Sequence, residues 1–175
     1  FPEPSASTSL VLKTVNGERH PHAFSELLHA AGDRADIVVM DRYLPAADRD
    51  ALVASCDCYV SLHRSEGFGL TVAEAMLLGK PVIATDYGGV TDFVTDETAF
   101  PVRYERTLVG EGAAPYAPDE YWAEPDLDHA AQAMRTVVTD PALAAARAAT
   151  GRDFVRQHHS PAAAGEAMAD RLRRL

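Results

Sequence analysis

In the first half of the chain the apolar residues switch repeatedly between two periods, and this rhythm narrows the possible folds more than any other feature. The short runs Ser9–Thr14, Ile37–Met40, Cys58–Leu62 and Pro81–Thr85 have the unbroken apolar character of buried strands. Between them Phe24, Leu27, Leu28 and Ala31, then Leu52, Val53 and Cys56, then Leu70–Leu78 recur at helical spacing, and Gly32 and Gly79 stand where helices stop. Strand, helix, strand, helix in this order predicts parallel strands joined by right-handed crossovers. The fold class read here is α/β: a Rossmann-like parallel sheet with flanking helices, followed by C-terminal helices. In such sheets ligands bind outside the carboxyl ends of the strands. That rule sets Lys13–Gly17, Asp41–Pro45, His63–Gly69 and Thr85–Val90 along one rim.

After Val102 the rhythm breaks. Arg103–Glu124, with Gly110, Gly112, Pro115 and Pro118, reads as an irregular excursion over the surface. Leu127–Thr139, Pro141–His158 and Pro161–Leu175 then read as alanine- and arginine-rich helices. Asp126 and Ser160 fall at N-cap positions, and Pro161 at a first helical position. The division expected is 1–125 for a Rossmann-like domain and 126–175 for helices that pack on it.

Composition narrows the partners. The formal net charge is −10, and nucleic-acid binding needs a concentrated basic surface instead. No apolar run approaches the ~20 residues of a membrane span, and Phe1-Pro2-Glu3-Pro4 lacks the charged and apolar regions of a leader. These observations lead to an expected cytoplasmic location, with peripheral membrane association of a larger protein left open. Cys56 and Cys58 have no second pair at zinc-ligand spacing, so they read as core thiols.

The segment richest in chemistry is His63-Arg64-Ser65-Glu66-Gly67-Phe68-Gly69-Leu70-Thr71-Val72-Ala73-Glu74-Ala75-Met76. A strand end feeds a glycine-flanked loop that opens directly into a helix. Backbone N–H groups of a first helical turn have no partner inside the helix, and the peptide dipoles add about half a positive charge there. Gly67 and Gly69 let a ligand approach that backbone, which suits a diphosphate. Glu74 follows in the first or second turn, where a carboxylate can accept two hydroxyl hydrogen bonds from a vicinal diol. Taken singly, each piece has an ordinary explanation. The loop is then a tight turn, Glu74 a dipole partner, Glu66 a solvated carboxylate, and His63 and Arg64 surface residues. Their spacing argues otherwise.

Glu66 and Glu74 are separated by seven residues, with Gly-Phe-Gly-Leu after the first and Ala-Met after the second. This pattern resembles the Glu-x7-Glu motif of the retaining glycosyltransferases of the two-domain GT-B architecture (glycosyl transferases group 1, with glycogen-synthase-like and mannosyltransferase-like members). Cys56-Asp57-Cys58-Tyr59-Val60 resembles the family's strand before the motif, Gly79–Thr85 the strand after it, and Gly88-Gly89-Val90 the glycine loop that follows. The resemblance is strongest over Asp41–Val102. It implies the C-terminal half of a GT-B fold, and transfer of a sugar from a nucleotide diphosphate sugar to a hydroxyl, with retention and with neither metal nor cofactor. It assigns Glu66 to the donor sugar at the reacting centre. Gly67, Phe68, Gly69, Leu70 and Thr71 go to the sugar and diphosphate, Glu74 to the ribose, and Arg42 and Tyr43 to the base. Lys13 and Arg64 become candidate cations for the departing diphosphate, and His63 a candidate donor contact.

The chain departs from the family pattern where it begins. A further strand, an Arg/Lys clamp and a helix are expected ahead of it, and a separate N-terminal domain to bind the acceptor. The isolated 175 residues are therefore expected to be inactive, with an exposed sheet edge open to self-association. Two other functions fit the same architecture, a nucleotide-sugar epimerase and a non-catalytic nucleotide-sugar-binding module. An unrelated α/β nucleotide binder would show a P-loop or a Gly-x-Gly-x-x-Gly after its first strand, and neither occurs.

Overall fold

The computed structural model describes Ser7–Arg174; Phe1-Pro2-Glu3-Pro4 and Leu175, both discussed above, lie outside the described residues. The elements run β1 (Leu10–Thr14), α1 (Pro21–Ala31), β2 (Ile37–Asp41), α2 (Ala46–Ser55), β3 (Tyr59–Ser61), α3 (Leu70–Leu77), β4 (Val82–Thr85) and β5 (Phe100–Val102). They continue with β6 (Tyr104–Leu108), β7 (Tyr121–Pro125), α4 (Leu127–Thr139), α5 (Pro141–His158) and α6 (Pro161–Arg173). The alternating periods therefore report the order and type of the elements up to β4, whereas β5 has no counterpart in the sequence reading. No described helix is long and apolar enough to cross a membrane.

The chain forms two compact units, one up to Ala51 and one from Leu52 onward. In the first, β1 and β2 pair in parallel, Leu10 opposite Ile37 through Thr14 opposite Asp41. α1 begins with Pro21 at its first position and ends at Gly32, whose φ of 57° lies in the left-handed region. β1 is only half-buried, with Val11 exposed, rather than the fully buried strand its sequence suggests.

In the second unit β3, β4 and β5 form a parallel sheet with β4 at its centre. All four residues of β4 are buried, and they alternate between two cores as the pleat demands. Val82 and Ala84 join Val72, Ala75 and Met76 of α3, Phe93, and Val155 of α5. Ile83 joins Phe100, Val102, Ala130 and Ala133 of α4, and Ala144 of α5. The sheet is thus covered on both faces, which is why its strands are apolar throughout. Parallel pairing is as expected, but it falls into two ladders, β1–β2 and β3–β4–β5, one within each unit.

The region expected to be an irregular excursion is partly regular. β6 and β7 form an antiparallel hairpin, Tyr104 opposite Pro125 through Leu108 opposite Tyr121. Tyr, Thr, Leu and Trp favour extended backbone, but the intervening Gly and Pro residues hide that preference in a local reading. The helix caps are as read. The Asp126 carboxylate accepts from the His129 N–H at 2.9 Å, and the Ser160 hydroxyl from the Ala163 N–H at 3.1 Å. Asp140 caps α5 in the same way, accepting from Leu143 N–H at 3.0 Å. The His129 amide, with Arg103 nearby, holds the Asp126 carboxyl below the usual carboxylate range. Cys56 and Cys58 are free thiols, both half-buried, and burial together with Cys56 and Asp57 pushes the Cys58 thiol up to about 12. A thiol so raised is unreactive at neutral pH, in keeping with a packing role.

Gly151 marks the tightest helix contact. A Cβ there would press on the Thr98 carbonyl oxygen and the Met76 methyl group. The methyl can move, whereas the backbone oxygen cannot. Gly151→Ala would gain up to ~1 kcal/mol of helix propensity. Overpacking against backbone is the larger effect, and we expect a net loss of ~1–2 kcal/mol. Urea unfolding checks this: an unchanged or raised midpoint would contradict the packing of α5 against α3.

Candidate active site

The Glu66 loop begins where β3 ends and is held by bonds that strap its backbone down. Ser61 and Leu62 lead into His63, whose Nε2 lies 2.9 Å from the Tyr87 carbonyl oxygen and whose Nδ1 lies 3.2 Å from the Ser61 hydroxyl. A carbonyl only accepts, so Nε2 donates to Tyr87, and Nδ1 shares the second hydrogen bond with the Ser61 hydroxyl. Arg64 points elsewhere. Its guanidinium donates from Nε and Nη2 to the two carboxylate oxygens of Glu124 at 2.7 and 3.0 Å, and stacks 4.8 Å from the centre of the Trp122 ring. The Glu66 side chain is half-buried and accepts from the Gly67 N–H at 3.0 Å, while its carbonyl accepts from the Gly89 N–H at 3.1 Å.

The loop then turns into α3. Gly69 is the N-cap residue with φ 88°, a conformation that excludes most side chains, and a Cβ there would collide with Val90. It offers no capping side chain, so the first-turn N–H groups of α3 are left for a ligand or water. Phe68 packs its ring 5.4 Å from Phe93 and 5.5 Å from His159, which anchors the loop from below. Val72, Ala73, Ala75 and Met76 are buried, whereas Leu70, Thr71 and Glu74 are exposed. The helical repeat therefore turns Thr71 and Glu74 to the same open side. The structure brings Glu66, the Gly67–Gly69 backbone and α3 together as one continuous cradle.

A second glycine pair closes over this loop. The chain after β4 forms a short 3-10 turn, Gly88–Asp92, where Gly88 has φ 81°. A Cβ on Gly88 would run into the Glu66 carbonyl, and one on Gly89 into the Gly67 carbonyl and Phe68 Cα. Two backbones approach here more closely than any side chain allows.

Lys13, Arg42 and Tyr43 lie in the first unit. Lys13 Nζ donates to the Thr14 carbonyl at 2.6 Å, the Arg42 N–H donates to the Thr14 carbonyl at 3.2 Å, and Tyr43 is 86% exposed. Asp41, which the sequence reading left without a role, accepts from the Gly17 N–H at 3.0 Å and so ties the ends of β1 and β2 together. Trp122 and Glu124 were also without a role, because nothing local in the sequence links them to Arg64. Among the described residues no group of three or more His, Cys, Asp or Glu side chains is placed to hold a metal ion.

A parallel sheet covered by helices on both faces, with a glycine-lined loop opening onto an uncapped helix, defines an α/β protein of the class in which ligands bind at the strand ends. The family model of the glycosyl transferases group 1 matches residues 17–115, and the chain belongs to that family, whose architecture is GT-B. Trehalose synthase of Pyrococcus horikoshii is 37% identical over 83 residues, which are 46% of this chain and 20% of that protein. A human alpha-1,3/1,6-mannosyltransferase is 26% identical over 131 residues, 75% of this chain and 27% of that protein. The chain thus spans about a fifth to a quarter of these relatives' length. Among solved structures, Anabaena HepE in complex with UDP and glucose superposes with a TM-score of 0.70 at 19% identity, covering 98% of this chain and 42% of that one. Sucrose-phosphate synthase from Thermosynechococcus elongatus gives 0.66 at 23% identity, covering 95% and 38%. At such identities these likenesses speak for the fold.

Proposed function

We propose that this chain is the nucleotide-sugar-binding part of a retaining glycosyltransferase, with residues 1–125 holding the donor, residues 126–175 packing on them as helices, and the acceptor held by a further domain. The observation that carries this reading is the cradle itself: Glu66 and Glu74 flank a glycine loop against which the Gly88–Gly89 turn packs closely, with the Glu66 carbonyl accepting from the Gly89 N–H. Relatives named as mannosyltransferases and a fold shared with a UDP-bound protein support a nucleotide diphosphate sugar as donor.

In transfer, the bond from the anomeric carbon to the diphosphate breaks as the acceptor hydroxyl oxygen bonds to the same carbon, and the hydroxyl proton passes to the departing diphosphate. Negative charge grows on the departing diphosphate. The uncapped N–H groups of α3 are fixed dipoles that stabilise this charge without reorganising. Glu66 holds the sugar hydroxyls and Glu74 the ribose. Lys13, His63 and Tyr43 are carried as donor contacts on the family resemblance. Arg64 has its guanidinium on Glu124, so it neutralises the diphosphate only by leaving that pair.

The test is calorimetric titration of the full-length enzyme with UDP-, GDP- and ADP-linked sugars in EDTA, followed by anomer analysis of the product. We expect one nucleotide to bind and transfer to proceed with retention in the presence of the chelator. Absence of binding to all three, activity restored only by added magnesium or manganese, or epimerisation without an acceptor would each overturn the reading.

A further inference from the structure

The β6–β7 hairpin is tied directly to Arg64 and, through Tyr87, to His63, the residues two and three positions before Glu66. On β7, Trp122 lies under the Arg64 guanidinium, Glu124 takes it in a two-pronged hydrogen bond, and the Ala123 N–H donates to the Arg64 carbonyl at 2.8 Å. On β6, Tyr104 packs edge-to-face on Tyr87 with ring centres 5.0 Å apart, and the Tyr87 carbonyl is the group that accepts from His63. All of β6 is exposed, so its share in the core is small. The Arg64 and Glu124 side chains are 49% and 42% exposed, and an ion pair so open to water adds little to stability. Its planar fork, stacked and bidentate, instead fixes direction.

We infer that the hairpin is the positioning arm of the reacting loop, with Trp122 and Glu124 acting through Arg64 to fix the placement of Glu66. The inference rests on the assignment of Glu66 to the reacting centre. Neither hairpin residue touches the donor in this role. Their loss blurs Glu66 but leaves the α3 N–H groups and Glu74, the contacts to the diphosphate and ribose, so turnover falls while donor affinity stays within a few-fold.

The experiment measures kcat and donor Kd in the full-length enzyme for Trp122→Leu, Trp122→Phe, Glu124→Gln, Arg64→Lys and the double variant Arg64→Lys/Glu124→Gln, with Glu66→Gln as reference. For Trp122→Leu, Glu124→Gln and Arg64→Lys we expect kcat to fall ~10-fold with donor Kd within ~3-fold, as for a displaced reacting group. Trp122→Phe, which keeps an aromatic face, is expected to recover most of the loss. The double variant should be no worse than either single one, because both changes break one contact. Arg64→Lys keeps the charge and serves if a hairpin variant does not fold. Losses that add, a Kd that rises in step with the loss, or unchanged turnover in these variants would overturn the inference. So would a deficit that tracks the thermal midpoint. An active Glu66→Gln enzyme would instead bring down the assignment of the site.

Discussion

Gly89→Ala is expected to lower sugar transfer by at least ~100-fold, the scale of loss when a reacting group is displaced by about an ångström. The new Cβ would meet the Gly67 carbonyl and Phe68 Cα, which are backbone atoms and have no rotamer to escape into. The loop or the turn must shift, and either movement breaks the hydrogen bond from Gly89 N–H to the Glu66 carbonyl. The core beneath need not follow, since Val90 and Phe93 are held from other sides by α3 and α5. Kinetics and thermal unfolding of the same variant check this. Near-normal turnover would mean that the close approach of the two glycine segments has no part in placing Glu66.

Removing the second carboxylate should act on binding instead. Glu74→Ala is expected to weaken nucleotide-sugar binding by ~1–3 kcal/mol, the scale of a lost charged hydrogen bond. That corresponds to roughly 5- to 150-fold in Kd. Glu74 is exposed on α3 and no side-chain hydrogen bond restrains it in the described structure, so its loss leaves no buried partner unsatisfied. The thermal midpoint should therefore move little, and alanine is at least as good a helix former. Calorimetry on the full-length enzyme separates the outcomes. An unaltered donor affinity would end the ribose assignment.

Much of this protein could be read without a structure. The switch of periods marks β1 to β4 and the helices among them, because burial of one helical stripe or of both faces of a strand leaves a local pattern. Asp126 and Ser160 announce α4 and α6, because capping is a contact between near neighbours. The spacing of Glu66 and Glu74 around Gly67 and Gly69 is likewise local, and the family resemblance follows from it.

Other features were decided only when the chain folded. The hairpin pairs Tyr104 with Pro125, and the glycines and prolines between them erase any alternation that a short window could detect. Arg64 meets Glu124 across sixty positions, and Gly89 meets Gly67 across a strand and a helix. The parallel strands resolve into two ladders, and the chain into two units at Ala51 and Leu52. What the sequence determined by itself was the kind of the elements outside β5, β6 and β7 and the chemical identity of the cradle, since these depend on residues within a few positions of one another. What tertiary structure decided was which distant backbone and which distant side chain hold that cradle in place, since such contacts arise from three-dimensional packing and leave no periodic trace along the chain.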